Sequence, residues 1–120
     1  MREHTEQLTW VQGYPVVQPE IEIDVANADA LRAAIQAASG GGHDIVIVDM
    51  SQTAFCDSTG LNVLILAHKR LAAAGGELRL VIREPTLLRI FTVTGMSGMF
   101  RMFASLAEAL PEVPVPAAES

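Results

Sequence analysis

Apolar residues along the chain recur with two different periods, and the segments that carry them alternate. Leu8 to Gln12 and Val16 to Ile23 are rich in β-branched and apolar residues and read as strands. Gly13-Tyr14-Pro15 between them carries turn residues, so the pair is expected to form an N-terminal hairpin behind a polar, loose start from Met1 to Glu6. Leu31, Ala34, Ile35 and Ala38 then keep helical spacing. Asn27 is the expected cap of that helix, Asp29 lies in its first turn, where the dipole favours an anion, and Ser39-Gly40-Gly41-Gly42 ends it. Ile45-Val46-Ile47-Val48 does not alternate at all, which marks a strand covered on both faces or central in a parallel sheet, expected in the middle of the fold.

After turn-rich Met50 to Thr53, Asp57-Ser58-Thr59-Gly60 opens a second helix. Leu61, Leu64, Ile65, His68, Leu71 and Ala72 line one of its faces, and Gly75-Gly76 closes it. Leu78 to Ile82 reads as another strand. Pro85 suits the first turn of a third helix that carries Leu87, Leu88 and Phe91 and ends at Gly95. Met99 to Phe103 reads either as a short strand or as a turn, and Ser105 caps a final helix with Leu106, Ala109 and Leu110. Strands alternating with helices imply crossover connections. The expected class is therefore α/β, a mixed and largely parallel β-sheet of about four to five strands packed with about four α-helices, with the hairpin adding antiparallel character.

Composition narrows this further. A chain of 120 residues fits one domain, expected over 1–110, and Pro111, Pro114 and Pro116 make 111–120 an expected disordered tail. Half the residues are hydrophobic but only 5% are aromatic, so Leu, Ile, Val and Ala should build the core with Phe55, Phe91, Phe100 and Phe103 as larger fillers. A formal net charge of −6 argues against a nucleic-acid or anionic-membrane surface, either of which needs clustered Lys and Arg. The single cysteine, Cys56, excludes an intramolecular disulfide and points to a reducing compartment; with no run near the ~18 apolar residues of a membrane helix, the cytoplasm is the expected location.

The segment with chemical potential is Asp57-Ser58-Thr59-Gly60-Leu61. It lies where a strand and loop feed a helix, so the Ser58 hydroxyl is expected at or next to the N-cap and within reach of another protein. Free backbone N–H groups and the positive end of the helix dipole accept a phosphate there without unfolding the domain. The plainer reading is a capping serine contributing about 0.5–2 kcal/mol. Residue chemistry alone leaves both open.

From about Pro15 to Leu110, several blocks resemble, in order, the STAS domain of anti-anti-sigma factors. VIVDMSQTAFCDSTGLNVLILAHKRLAAAGGELRLV, from Val46 to Val81, is similar without a gap to the family's strand, phosphoacceptor loop, helix and next strand. LLRIFTVTGM resembles its third helix with the glycine ending, and IEIDVANADALRAAI its first strand-to-helix turn. The resemblance implies that Ser58 is the phosphoacceptor, with Thr59 as the near-miss candidate. It also implies that the unphosphorylated form binds an anti-sigma factor that is itself a serine kinase, so that a sigma factor is released; phosphorylation reverses this, and a serine phosphatase restores it. Asp24 is carried over as a residue flanking the docking surface, its alternative being a solvated turn carboxylate. Asp57 matches the family too and either holds the loop or only favours the helix dipole.

Two positions depart from the family pattern. Ile21 stands for the usual glycine before the first-turn acidic residue, and Asn62 for the glycine after D-S-x-G-L, which puts a side chain on the exposed side of the helix near Ser58. Val63 and Leu66 are expected to point away from the main apolar face, either as a docking patch or as scattered exposed residues. Other chemistry is not supported. His4, His43 and His68 lack ligand spacing for a metal, Cys56 suits a small buried filler, and Gly40-Gly41-Gly42 lacks the Lys-Ser/Thr ending of a phosphate loop, so neither metal nor cofactor is expected. Met96, Met99 and Met102 read as packing of a terminal segment. No acid, base and nucleophile constellation suggests an enzyme. The competing reading is a STAS scaffold or accessory subunit of a larger assembly or transport system, with Ser58 as a cap, and a weak homodimer stays open.

Overall fold

In a computed structural model, residues 7–40 and 45–111 are described. β1 (Leu8–Val11) and β2 (Tyr14–Val17) form the expected hairpin, but its turn is shorter than anticipated. Gln12 at φ 54° and Gly13 at φ 84° make the whole connection, and two left-handed residues give the twist that antiparallel strands favour. Tyr14 and Pro15 thus open β2. Pro15 faces Trp10 and precedes the parallel ladder to β4 (Ile45–Met50), which begins at Val16, so its missing N–H costs no bond there. The expected single strand from Val16 to Ile23 is also divided. Pro19 interrupts it, and only β3 (Glu22–Ile23) resumes extended pairing.

β4 (Ile45–Met50), β6 (Glu77–Ile82) and β7 (Arg101–Phe103) complete a five-stranded sheet of order β1-β2-β4-β6-β7. β1 is antiparallel to β2, and the remaining pairs are parallel. The ambiguous Met99 to Phe103 segment thereby resolves as an edge strand from Arg101 onward. β4 is the middle strand, and its side chains divide between two cores: Val46, Val48 and Met50 join the larger cluster with Leu31, Leu64 and Phe91, while Ile47 joins Val16, Val81 and Ala109 on the other face. Burial on both faces is the reason the run does not alternate.

The larger face is covered by α1 (Ala28–Ser39), α2 (Ser58–Ala73) and α3 (Pro85–Val93). α4 (Leu106–Ala109) covers part of the other, capped by Ser105, whose Oγ accepts the Glu108 N–H at 3.2 Å. Arg79 reaches across to donate to the Ala109 carbonyl at 2.7 Å. Two readings of aromatic and cap residues need correction. Phe91 and Phe100 are buried, but Phe55 is 43% exposed and Phe103 only partly buried. Asn27 makes no side-chain cap bond to α1.

The expected disordered tail falls, apart from Pro111, outside the described residues, as does the expected looseness of Met1 to Glu6. Among the described residues, no helix is long and apolar enough to cross a membrane.

Candidate functional site

Two short segments far apart in sequence build the platform under Ser58. β3 pairs in parallel with β5 (Phe55–Cys56), matching Glu22 to Phe55 and Ile23 to Cys56. The Ala54 N–H donates to the Ile21 carbonyl at 2.8 Å and the Asp57 N–H to the Ile23 carbonyl at 3.0 Å. Thr53, fully buried, donates its hydroxyl to the Glu20 carbonyl at 2.9 Å. The sequence shows no strand signal of useful length at β5, yet its pairing with β3 brings the Asp24 turn against the start of α2.

Asn27, instead of capping α1, holds that turn closed. Its Oδ1 accepts the Asp24 N–H at 3.0 Å and its Nδ2 donates to the Glu22 carbonyl at 2.8 Å. Asp24 Oδ1 in turn accepts the Ala26 N–H at 3.0 Å, the local bonding that aspartate favours in turns. The half-buried Asp24 is thus bound into its own turn, with Val25 beside it 76% exposed.

The cap of α2 is Asp57. Its backbone is extended at φ −84° and ψ −176°, and its carboxylate accepts the Gly60 N–H at 3.1 Å. Ser58 is the first helical residue and is exposed; Thr59 beside it is half-buried. Helix geometry leaves the Ser58 and Thr59 N–H groups without an i−4 carbonyl, at the positive end of a helix of 16 residues. Gly60 closes the arrangement from below. A Cβ at Gly60 would lie 2.6 Å from Cys56 Sγ and 2.6 Å from Ile23 Cγ2, so only glycine lets the first turn of α2 rest directly on the small sheet. Cys56 is buried in that contact, and burial, with the nearby Asp57 charge adding to it, pushes its thiol up to about 12. A thiol held neutral is packing material, not a nucleophile.

Farther along α2, Asn62 is exposed and Leu66 is 46% exposed, but Val63 is only 5% exposed. The expectation that Val63 points away from the apolar surface is therefore corrected: α1 packs alongside α2 and gives it a second buried side formed by Val63 and Ala67. Ala72, assigned to the apolar face, is exposed. Sequence reasoning did not anticipate the exposure of three apolar residues in or beside the small sheet, namely Ile21 (63%), Val25 and Phe55. Alternation would have found Phe55 had it been read as a strand residue, because Cys56 faces inward.

The STAS domain family model matches residues 7–109. The chain belongs to the STAS domain family. It is 32% identical over 83 residues to the anti-sigma-B factor antagonist of Bacillus subtilis strain 168, covering 69% of this chain and 75% of that one. The crystal structure of an anti-sigma factor antagonist from Mycobacterium paratuberculosis superposes with a TM-score of 0.76 at 29% identity, covering 85% of this chain and 86% of that one. The structure of the Bacillus cell fate determinant SpoIIAA in the phosphorylated form gives a TM-score of 0.65 at 25% identity, covering 86% of this STAS chain and 94% of its counterpart. The mixed sheet with helices on its faces is thus the STAS arrangement, and the D-S-T-G segment forms the entry to its second helix.

Proposed function

We propose that this STAS protein is an anti-sigma factor antagonist: unphosphorylated, it binds an anti-sigma factor that is also a serine kinase, and so frees a sigma factor. Phosphorylation of Ser58 ends that binding, and a serine phosphatase restores it. The observation that carries the reading is the placement of Ser58 as an exposed first residue of α2 in a chain related to anti-sigma factor antagonists. A phosphate there adds about −1.5 to −2 charges beside the Asp57 carboxylate, on a surface that a partner must approach closely. Asp24, Thr59, Asn62 and Leu66, together with the exposed Val25 and Phe55, form the rim that the partner would cover. The role is binding rather than catalysis, and its place is the cytoplasm, where sigma factors act.

The test incubates the protein with its cognate kinase and ATP and maps the phosphate by mass spectrometry. Phosphate on Ser58, lost in Ser58→Ala, is the expected result. Ser58→Ala should keep the affinity for the anti-sigma factor while Ser58→Glu weakens it by at least about tenfold, the scale of like-charge opposition at an interface. Phosphate confined to other residues, or equal affinity of the two variants, would overturn the assignment.

A further inference from the structure

α2 presents an exposed line that continues away from Ser58. Asn62, Leu66 and Arg70 follow it at intervals of four and are all exposed, as residues on one helix face should be. At the Leu66 end, α1 runs beside α2, and a shallow notch opens between them. Ile35, Val63, Leu66 and Ala67 line it, with Arg32 and Arg70 at its lips. Ile35, Val63 and Ala67 are buried, so the floor is apolar, whereas Leu66 stands 46% exposed. About 20 Å³ of the notch is open to water, room for a single small group such as the tip of an aliphatic side chain.

The charge around this notch differs from that of the molecule. The chain carries a formal net charge of −6, yet α2 contains no acidic residue, and two guanidinium groups flank the apolar floor. Arg32 has an ion pair with Asp29 at 2.7 Å, but Asp29 is 82% exposed and Arg32 46% exposed. A pair so wet holds its arginine weakly and releases it readily to another carboxylate. The other end of the same helix line is acidic, with Asp57 at the cap.

We propose that the notch between α1 and α2 docks an acidic, aliphatic segment of the anti-sigma factor. One leucine-like side chain sits over Ile35, Val63 and Ala67, and carboxylates on either side of it pair with Arg32 and Arg70. The inference rests on the reading of Ser58 as a partner-binding switch and adds to it a second contact of opposite charge. The two contacts together fix the direction in which the partner lies along α2: its basic part meets Asp57 and its acidic part meets Arg32 and Arg70.

The experiment titrates the full chain with the purified serine kinase that phosphorylates Ser58, without ATP, at about 50 and 300 mM salt. The variants are the double variant R32E/R70E, the exposed α3 control R89E, and Ser58→Glu. R32E/R70E should lose at least about tenfold in affinity at low salt and flatten the salt dependence, with an unchanged thermal transition, while R89E stays within about twofold of wild type. If R32E/R70E binds as wild type does while Ser58→Glu is weakened, the notch is not a docking site and the Ser58 reading stands. If the wild type fails to bind the kinase, or Ser58→Glu binds as wild type does, both readings fall. Light scattering covers the remaining occupant: a wild-type dimer abolished by R32E/R70E assigns the notch to a second copy and overturns the proposal.

Discussion

Gly60 is the residue on which the geometry around Ser58 turns. With Cys56 Sγ and Ile23 Cγ2 each 2.6 Å from the position of a Cβ, Gly60→Ala must push the first turn of α2 off the β3–β5 sheet or distort Ile23. Overpacking of this kind costs about 1–3 kcal/mol, and urea denaturation should show a loss of that size. The same contact shields Cys56. Because burial raises its thiol to about 12 from 9.0, the unfolded chain ionises first as pH rises; the stabilisation is complete below about 9 and declines toward 12. Native Cys56 is therefore expected to resist iodoacetamide at pH near 8, and Gly60→Ala to hasten alkylation. Rapid labelling of the wild type would mean that the contact is open in solution. Gln12 shows the opposite case, a side chain where the backbone is left-handed at φ 54°. Gln12→Asn should raise stability by about 0.5 kcal/mol, since asparagine tolerates that region better; an unchanged unfolding midpoint would contradict this.

At the level of elements, the legible parts were those whose own residues set their environment. Ile45 to Val48 announces a strand covered on both sides, and D-S-T-G ahead of an apolar face announces a helix start; both stand where expected. The features that escaped notice depend on partners distant in the chain. β5 has two residues, too few to show a period, and exists because β3 lies beside it. Asn27 resembles a cap until the Glu22 carbonyl and Asp24 N–H claim its side chain, and Val63 looks exposed until α1 is placed against it. Phe55 reads as core because an aromatic residue usually is, but the pleat that turns Cys56 inward turns it outward. Thr53 tests how far β3 and β5 depend on each other. Thr53→Val keeps the shape and leaves the Glu20 carbonyl without its 2.9 Å donor, which should cost about 1–3 kcal/mol. Hydrogen exchange should rise first at Ala54 and Asp57, the N–H groups that bridge the two strands; uniform change across the large sheet would show instead that the small sheet is no separate unit.

The molecule as a whole keeps its cores and its candidate switch apart. The sheet buries one cluster beneath α1, α2 and α3 and a smaller one beneath α4, and Ser58 contributes to neither. A negative charge at Ser58 meets the N-terminal end of α2, where a helix dipole favours an anion by about 0.3–1 kcal/mol, and it also meets the Asp57 carboxylate, which opposes it. These effects are similar in size and opposite in sign. Ser58→Glu should consequently leave the unfolding free energy within about 0.5 kcal/mol of wild type, with the same far-ultraviolet circular dichroism and the same denaturant slope. Partner affinity should fall in the same protein preparation, because interface contact removes the water that screens the charge. A Ser58→Glu protein that lost several kcal/mol of stability, or changed its denaturant slope, would place the switch in the fold itself and not on its surface.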